Sequence, residues 1–303
     1  MLELLLNEIL LSKLLMHPSS FGSLETLVQK LVKGEKPPQQ DIKTFFTTLG
    51  IENKIRNSAF ILPDENYSGN PFDNFEENSI AVIPVIGTML KYDSWWNYGM
   101  DSMANLIRLA DSSSKIIGTI LLANTPGGTS QSVIQLEDAL RNRTKPSIGL
   151  IDGMCCSGGI YALSFCDRIL ATNPMCIAGN IGVYIQIVDD DKMYENYGIK
   201  FIIVTPPESK FKNLAYRQAK EGDDKMLVQE DLSPYAIHFQ NLIKDNRPKL
   251  DLSIEGIIQG KDFYAADAVT YGLIDGITNF EGAAQALQSL HDEKQSIYSS
   301  FKK

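Results

Sequence analysis

Ser157 stands in the run Asp152-Gly153-Met154-Cys155-Cys156-Ser157-Gly158-Gly159-Ile160-Tyr161-Ala162, between a hydrophobic segment and the start of a helical pattern. A serine at a strand-to-helix turn projects its hydroxyl off the end of a sheet, and the backbone N–H groups behind it face whatever that hydroxyl attacks. A glycine-rich turn also forms for backbone reasons alone, so Ser157 by itself does not specify a nucleophile. Two further stretches add to it. Asn124-Thr125-Pro126-Gly127-Gly128 follows the apolar run 116–123 and reads as a second strand-to-helix turn, able to aim backbone donors at the same point. Lys210-Phe211-Lys212-Asn213 supplies two amines, either of which could act as the base. The chemistry these residues compose is acyl transfer: a neutral lysine takes the serine proton as the hydroxyl attacks a carbonyl, and backbone N–H groups hold the oxyanion. A free lysine has a pKa of about 10.4. Desolvation lowers it by up to ~3–5 units, and Ile181, Val183 and Phe211 are the expected apolar walls.

The elements that must position these groups alternate. Short apolar runs at 80–87, 116–123, 147–151, 168–171, 182–188 and 201–204 predict strands. Helical spacing predicts helices over 131–143, from Ser157 to about 165, 190–197, 223–246 with a bend at Pro234, 265–271 closed by Gly272, and from 280 into a polar tail. That alternation implies an α/β architecture with mainly parallel pairing. Trp95 and Trp96 are adjacent, so one of them is a candidate lining for a substrate groove or a lid, along with Met154 and Ile160. The expected organisation is an N-terminal, partly helical region and linker over 1–75, a main domain over 76–280, and a C-terminal helix and tail over 281–303.

The landmarks occur in an order that resembles the signal peptide peptidase A family and its relatives, the phage prohead (capsid maturation) proteases. They are the Pro126-Gly127-Gly128 turn, Ser157 to Ala162, Gly179-Asn180-Ile181-Gly182-Val183, Lys210-Phe211-Lys212, and Gly260-Lys261 with 265–275; the resemblance runs from about Ile80 to Ile277. It implies a serine endopeptidase with a Ser-Lys dyad on a ClpP/crotonase-like fold of repeated β-β-α units. The implied roles are Ser157 as nucleophile and Lys212 as base, the lysine flanked by an aromatic and a polar residue as in the family. Gly158 and Gly127 or Gly128 would form the oxyanion hole, with no cofactor and no metal. At Asn180 the chain departs from relatives that often carry serine there; an Asn amide oxygen can still accept a hydrogen bond from the base. The resemblance further implies a homo-oligomer in which serine and lysine come from neighbouring subunits, acting on a polypeptide. That substrate is a scaffold or coat protein in the capsid reading, or a signal peptide in a soluble peptidase. Two readings of other kinds stay open: a crotonase-type acyl-CoA enzyme, which needs neither Ser157 nor Lys212, and an inactive assembly protein.

Composition narrows the rest. The chain has 303 residues, 44% hydrophobic and 21% charged, as in ordinary globular proteins. A net charge of -9 argues against a surface for phosphate backbones or anionic lipid. The N-terminal stretch 1–16 is Leu-rich but broken by Glu3, Glu8 and Lys13, which predicts a docked amphipathic helix rather than a span of ~20 apolar residues. Four cysteines, Cys155, Cys156, Cys166 and Cys176, lack paired C-x-x-C spacing and are expected as reduced, buried hydrophobes in a cytoplasmic or prohead-associated protein. The three histidines, His17, His238 and His291, are scattered, which disfavours Cys-His and Ser-His-Asp chemistry.

Overall fold

The computed structural model describes residues 13–17, 58–63, 68–94, 98–187, 189 and 191–301. At its centre lie β3 (Ser79–Ile86), β4 (Ile116–Thr125) and β6 (Ser147–Cys156), which are buried along almost their whole length. Such continuous apolar runs belong to parallel strands covered on both faces. The sheet order is β10 (Gly276–Ile277), β7 (Arg168–Ala171), β6, β4, β3, β2 (Ser58–Phe60), with every neighbouring pair parallel. Pro84 sits in β3 without loss of a ladder bond on that side, because β2 covers only Ile80 to Val82 and ends before it.

On one face α1 (Met100–Ser112), α2 (Val133–Arg141), α3 (Gly158–Leu163), α6 (Ser233–Asn246) and α7 (Ala265–Thr270) share the larger hydrophobic cluster. On the other, α8 (Phe280–Phe301) inserts Ala283, Ala284 and Leu287 against Ile120, Leu122, Ile148 and Leu150. Two short helices, α4 (Asp191–Asn196) and α5 (Leu214–Lys220), bury no residue. The molecule is therefore a mixed α/β fold built on a parallel sheet.

Several elements differ from the sequence-based expectation. The helical segment expected over 223–246 is a turn at Lys225–Leu227, a π-helical turn at Val228–Leu232, and α6, with Pro234 near its start. Segment 182–187 is not a strand apart from a single bridge residue at Tyr184, and 201–204 forms none. Ile202, Ile203 and Val204 are 79%, 67% and 85% exposed, so among the described residues their β-branched side chains meet no sheet. Residues 14–16, expected as helix, form β1 (Leu14–Met16), because a long-range partner outweighs the helical preference of leucine. Five further strands escape sequence patterning: β2, β5 (Gly127–Thr129), β8 (Ile177–Gly179), β9 (Asp262–Tyr264) and β10 are too short to show a period. Trp95, Trp96 and most of the 1–75 region lie outside the described residues.

Candidate active site

Strand β6 changes partners part-way along. Ile148 to Ile151 pair with β7, whereas Met154 to Cys156 pair with β8, and Gly153 at φ 117° makes the transition. The strand therefore continues past its expected end at Ile151, to Cys156, and delivers Ser157 directly onto α3. Ser157 has φ 53° and ψ -115°, a conformation that costs a non-glycine residue ~1–3 kcal/mol. Its surroundings enforce it. The Ser157 N–H donates to the Gly179 carbonyl at 2.8 Å, and its own carbonyl accepts from the Tyr161 N–H at 2.9 Å. Tyr161 is fixed in turn by donating its hydroxyl to Glu137 at 2.5 Å; burial, with that bond, pushes the phenol well above its ordinary pKa. A strained serine at a strand-to-helix turn is the arrangement that presents a nucleophile. Ser157 is 1% exposed, and among the described residues its Oγ donates one hydrogen bond, to the Gly182 carbonyl oxygen at 3.5 Å.

The second turn is not strand-to-helix as expected but runs from β4 straight into β5, and it is built by Thr125, whose importance sequence reasoning missed. Its buried hydroxyl donates to the Gly87 carbonyl at 2.6 Å and accepts from the Gly127 N–H at 3.1 Å. Gly127 has φ 94°, and at Gly128 a Cβ would lie 1.8 Å from the Met89 carbonyl oxygen. Both glycines are thus demanded by backbone, and β5 is pinned to Met89 by Met89 N–H to Gly127 O (2.9 Å) and Thr129 N–H to Met89 O (3.0 Å). Gly128→Ala must displace the turn. The expected result is a fall of at least ~10²-fold in any activity that uses this turn as a donor, together with a lower melting midpoint. An alanine variant with wild-type kinetics would remove the turn from the site.

Asn180, at φ 58°, donates its N–H to Lys261 O at 2.8 Å and its Nδ2 to Gly260 O at 2.9 Å. A carbonyl only accepts, so Nδ2 must face Gly260, and Oδ1 is left without a partner among the described residues. The Gly260-Lys261 landmark thus fixes Asn180 beside the Ser157 turn.

Lys212 is exposed, and no hydrogen bond joins it to Ser157. Among the described residues only its backbone is held, by Ser209 O at 2.9 Å and by Arg217 Nη1 at 2.7 Å. Lys210 lies over the Phe211 ring at 4.9 Å. Of the expected walls, Ile181 is in the core and Val183 packs against it, but Phe211 is 64% exposed, so within one chain they enclose no amine. Phe211, Leu214, Tyr216, Met226, Leu227 and Asp231 instead line an open groove of about 780 Å³. Of the expected substrate lining, Met154 is half-buried and Ile160 is a core residue.

Cys156, next to the serine, is buried, and burial, followed by Asp262, pushes its thiol up to about 12. It is a packing residue, as are the other three free, buried cysteines. His238 lies 3.3 Å from the Tyr161 hydroxyl, while His17 Nε2 faces Asp262 Oδ1 at 3.6 Å, nearer the site than its sequence position suggested. No described helix is long and apolar enough to cross a membrane.

Residues 139–294 match peptidase family S49. Protease 4 of Haemophilus influenzae is 27% identical over 222 residues, 72% of this chain and 36% of the relative. The putative signal peptide peptidase SppA of Enterococcus faecium is 23% identical over 202 residues, 65% of this chain and 57% of the relative. The chain thus spans about a third of the length of the first and somewhat over half of the second. Among solved structures, a membrane-bound stomatin-specific protease in complex with a substrate peptide superposes with a TM-score of 0.44 at 16% identity, over 67% of this chain and 76% of that one.

Proposed function

Because the chain belongs to peptidase family S49, we propose that it is a serine endopeptidase in which Ser157 attacks the peptide carbonyl. The observation that carries this reading is the backbone of Ser157, held at φ 53° by Gly179 and Tyr161 although a glycine would meet the same constraint without strain. Lys212 is the base. It takes the serine proton, returns it to the leaving amine, and then activates the water that releases the acyl group, while Gly158 with Gly127 or Gly128 holds the oxyanion.

The lysine acts on a neighbouring subunit. Two features support this: Lys212 stands exposed with its ammonium unpartnered among the described residues, and the adjoining segment exposes Phe201, Ile202, Ile203 and Val204 to solvent. An apolar stretch of that kind is ordinarily covered by another chain. Covering it would also supply the desolvation a lysine needs to be neutral near pH 7. Relatives named as proteases and putative signal peptide peptidases favour degradation of extended peptides over trimming of capsid proteins as the role.

A fluorophosphonate probe followed by intact-mass analysis tests the chemistry. The expected result is one adduct per chain, mapped to Ser157 and absent from Ser157→Ala. Peptide cleavage by a chain whose Ser157 stays unmodified, or binding of acyl-CoA in place of peptides, would overturn the reading.

A further inference from the structure

The outer edge of β5 is occupied by the chain's own β1. The strands run antiparallel with Leu14 opposite Thr129, Leu15 opposite Gly128 and Met16 opposite Gly127. The flanking bonds, Ser130 N–H to Lys13 O (2.8 Å) and His17 N–H to Pro126 O (2.6 Å), mark pairs 13/130 and 17/126 as hydrogen-bonded. Hydrogen-bonded pairs alternate along an antiparallel ladder, so the pair between them, Leu15 and Gly128, exchanges both bonds. The Gly128 N–H is therefore given to the Leu15 carbonyl, while the Gly127 N–H is given to Thr125 Oγ1. Met89 holds the other edge of β5, so the edge covered by β1 is the one where an incoming chain would pair.

The segment is fastened on both sides. Lys13 Nζ reaches Asp231 Oδ1 at 2.6 Å and stands 5.4 Å from the Tyr235 ring centre. His17 faces Asp262, which pairs with Gly179, the residue whose carbonyl holds the Ser157 N–H. Between these anchors Met16 is 1% exposed and stands opposite Gly127. Pairing with a sheet edge through main-chain bonds, with a side chain in a pocket, is how proteins bind extended peptides.

We propose that residues 13–17 are a built-in competing ligand: an intramolecular strap that occupies the peptide track along β5, takes the Gly128 donor, and must leave before a substrate strand can enter. This rests on the peptidase reading of Ser157. It adds a regulatory step, release of the strap, that the dyad alone does not imply.

Leu15→Pro removes the N–H that pairs with Gly128 O, and Met16→Asp places a charge at a buried position; the two act on different contacts, so both need not share a folding defect. Each variant is expected to react with the fluorophosphonate and to cleave an extended peptide about tenfold faster than the parent chain, the size set by one or two net backbone hydrogen bonds. The Gly128 amide, protected from hydrogen exchange in the parent, should exchange at least about tenfold faster in both variants. A synthetic peptide of residues 10–20 should return both variants to the parent's rates. Equal rates in parent and variants, or a Gly128 amide that exchanges freely in the parent, would overturn the strap. If instead Ser157 is inert in every form, the peptidase reading has failed, and the strap stands or falls on whether the peptide restores protection at Gly128.

Discussion

Ser157→Ala is expected to lower kcat/KM for peptide hydrolysis by roughly 10⁴-fold or more, to the level that binding and oxyanion contacts alone sustain. Its fold should be unchanged. Among the described residues the hydroxyl makes one hydrogen bond, at 3.5 Å, so its loss leaves no strong hydrogen bond broken, and alanine keeps the Cβ and with it the same strained backbone. The melting midpoint, the far-ultraviolet spectrum and the assembly state should therefore match the parent, which separates a chemical loss from a structural one. A folded Ser157→Ala protein that still turns over peptide at the parental rate would end the serine mechanism.

Lys212→Met is expected to produce a loss of comparable size, and Lys210→Met little change. Methionine keeps an unbranched stem without the amine, and the exposure of both lysines means neither substitution disturbs a core. Lys210 is already engaged with the Phe211 ring, a contact its removal would forfeit at small cost. If the lysine of one subunit serves the serine of the next, mixing Ser157→Ala with Lys212→Met chains during assembly should restore part of the activity, since some interfaces then pair an intact serine with an intact lysine. Dilution should lower specific activity as the assembly dissociates. A fully active monomer, or a confirmed oligomer in which mixing restores nothing, would mean that the serine is served within its own chain. A loss confined to Lys210→Met would move the base to that residue.

How much of the fold and site was legible in the sequence depended on range. The central strands β3, β4 and β6 announced themselves as apolar runs, because a strand buried on both faces must be apolar throughout. The two glycine turns were legible for a local reason too: φ 94° at Gly127 and the close approach of Met89 at Gly128 each exclude a side chain. Most of what failed depends on a distant partner; α1 (Met100–Ser112) is the exception, since its buried Met103, Leu106, Ile107 and Ala110 fall at helical spacing and the sequence reading still passed it over. Residues 201–204 have the composition of a strand and lack one to pair with, whereas Leu14 to Met16 have the composition of a helix and found one. The role of Thr125 was readable in principle, since a hydroxyl two residues before a glycine is a common turn device. That His17 meets Asp262 was not, because 245 positions separate them.

The covered edge of β5 also bears on how the protein behaves in a crowded solution. A strand edge with unpaired N–H and C=O groups is a template on which any extended chain can add, and natural sheets blunt such edges to avoid sticking to one another. On the peptidase reading, an edge that receives extended chains could not be blunted permanently with prolines or charges. Leu14 to Met16 lie along it instead, so the template is closed by a piece of the same chain. Copies of the molecule then encounter each other with that edge already satisfied by the pairing of Leu14 to Met16 with Gly127 to Thr129.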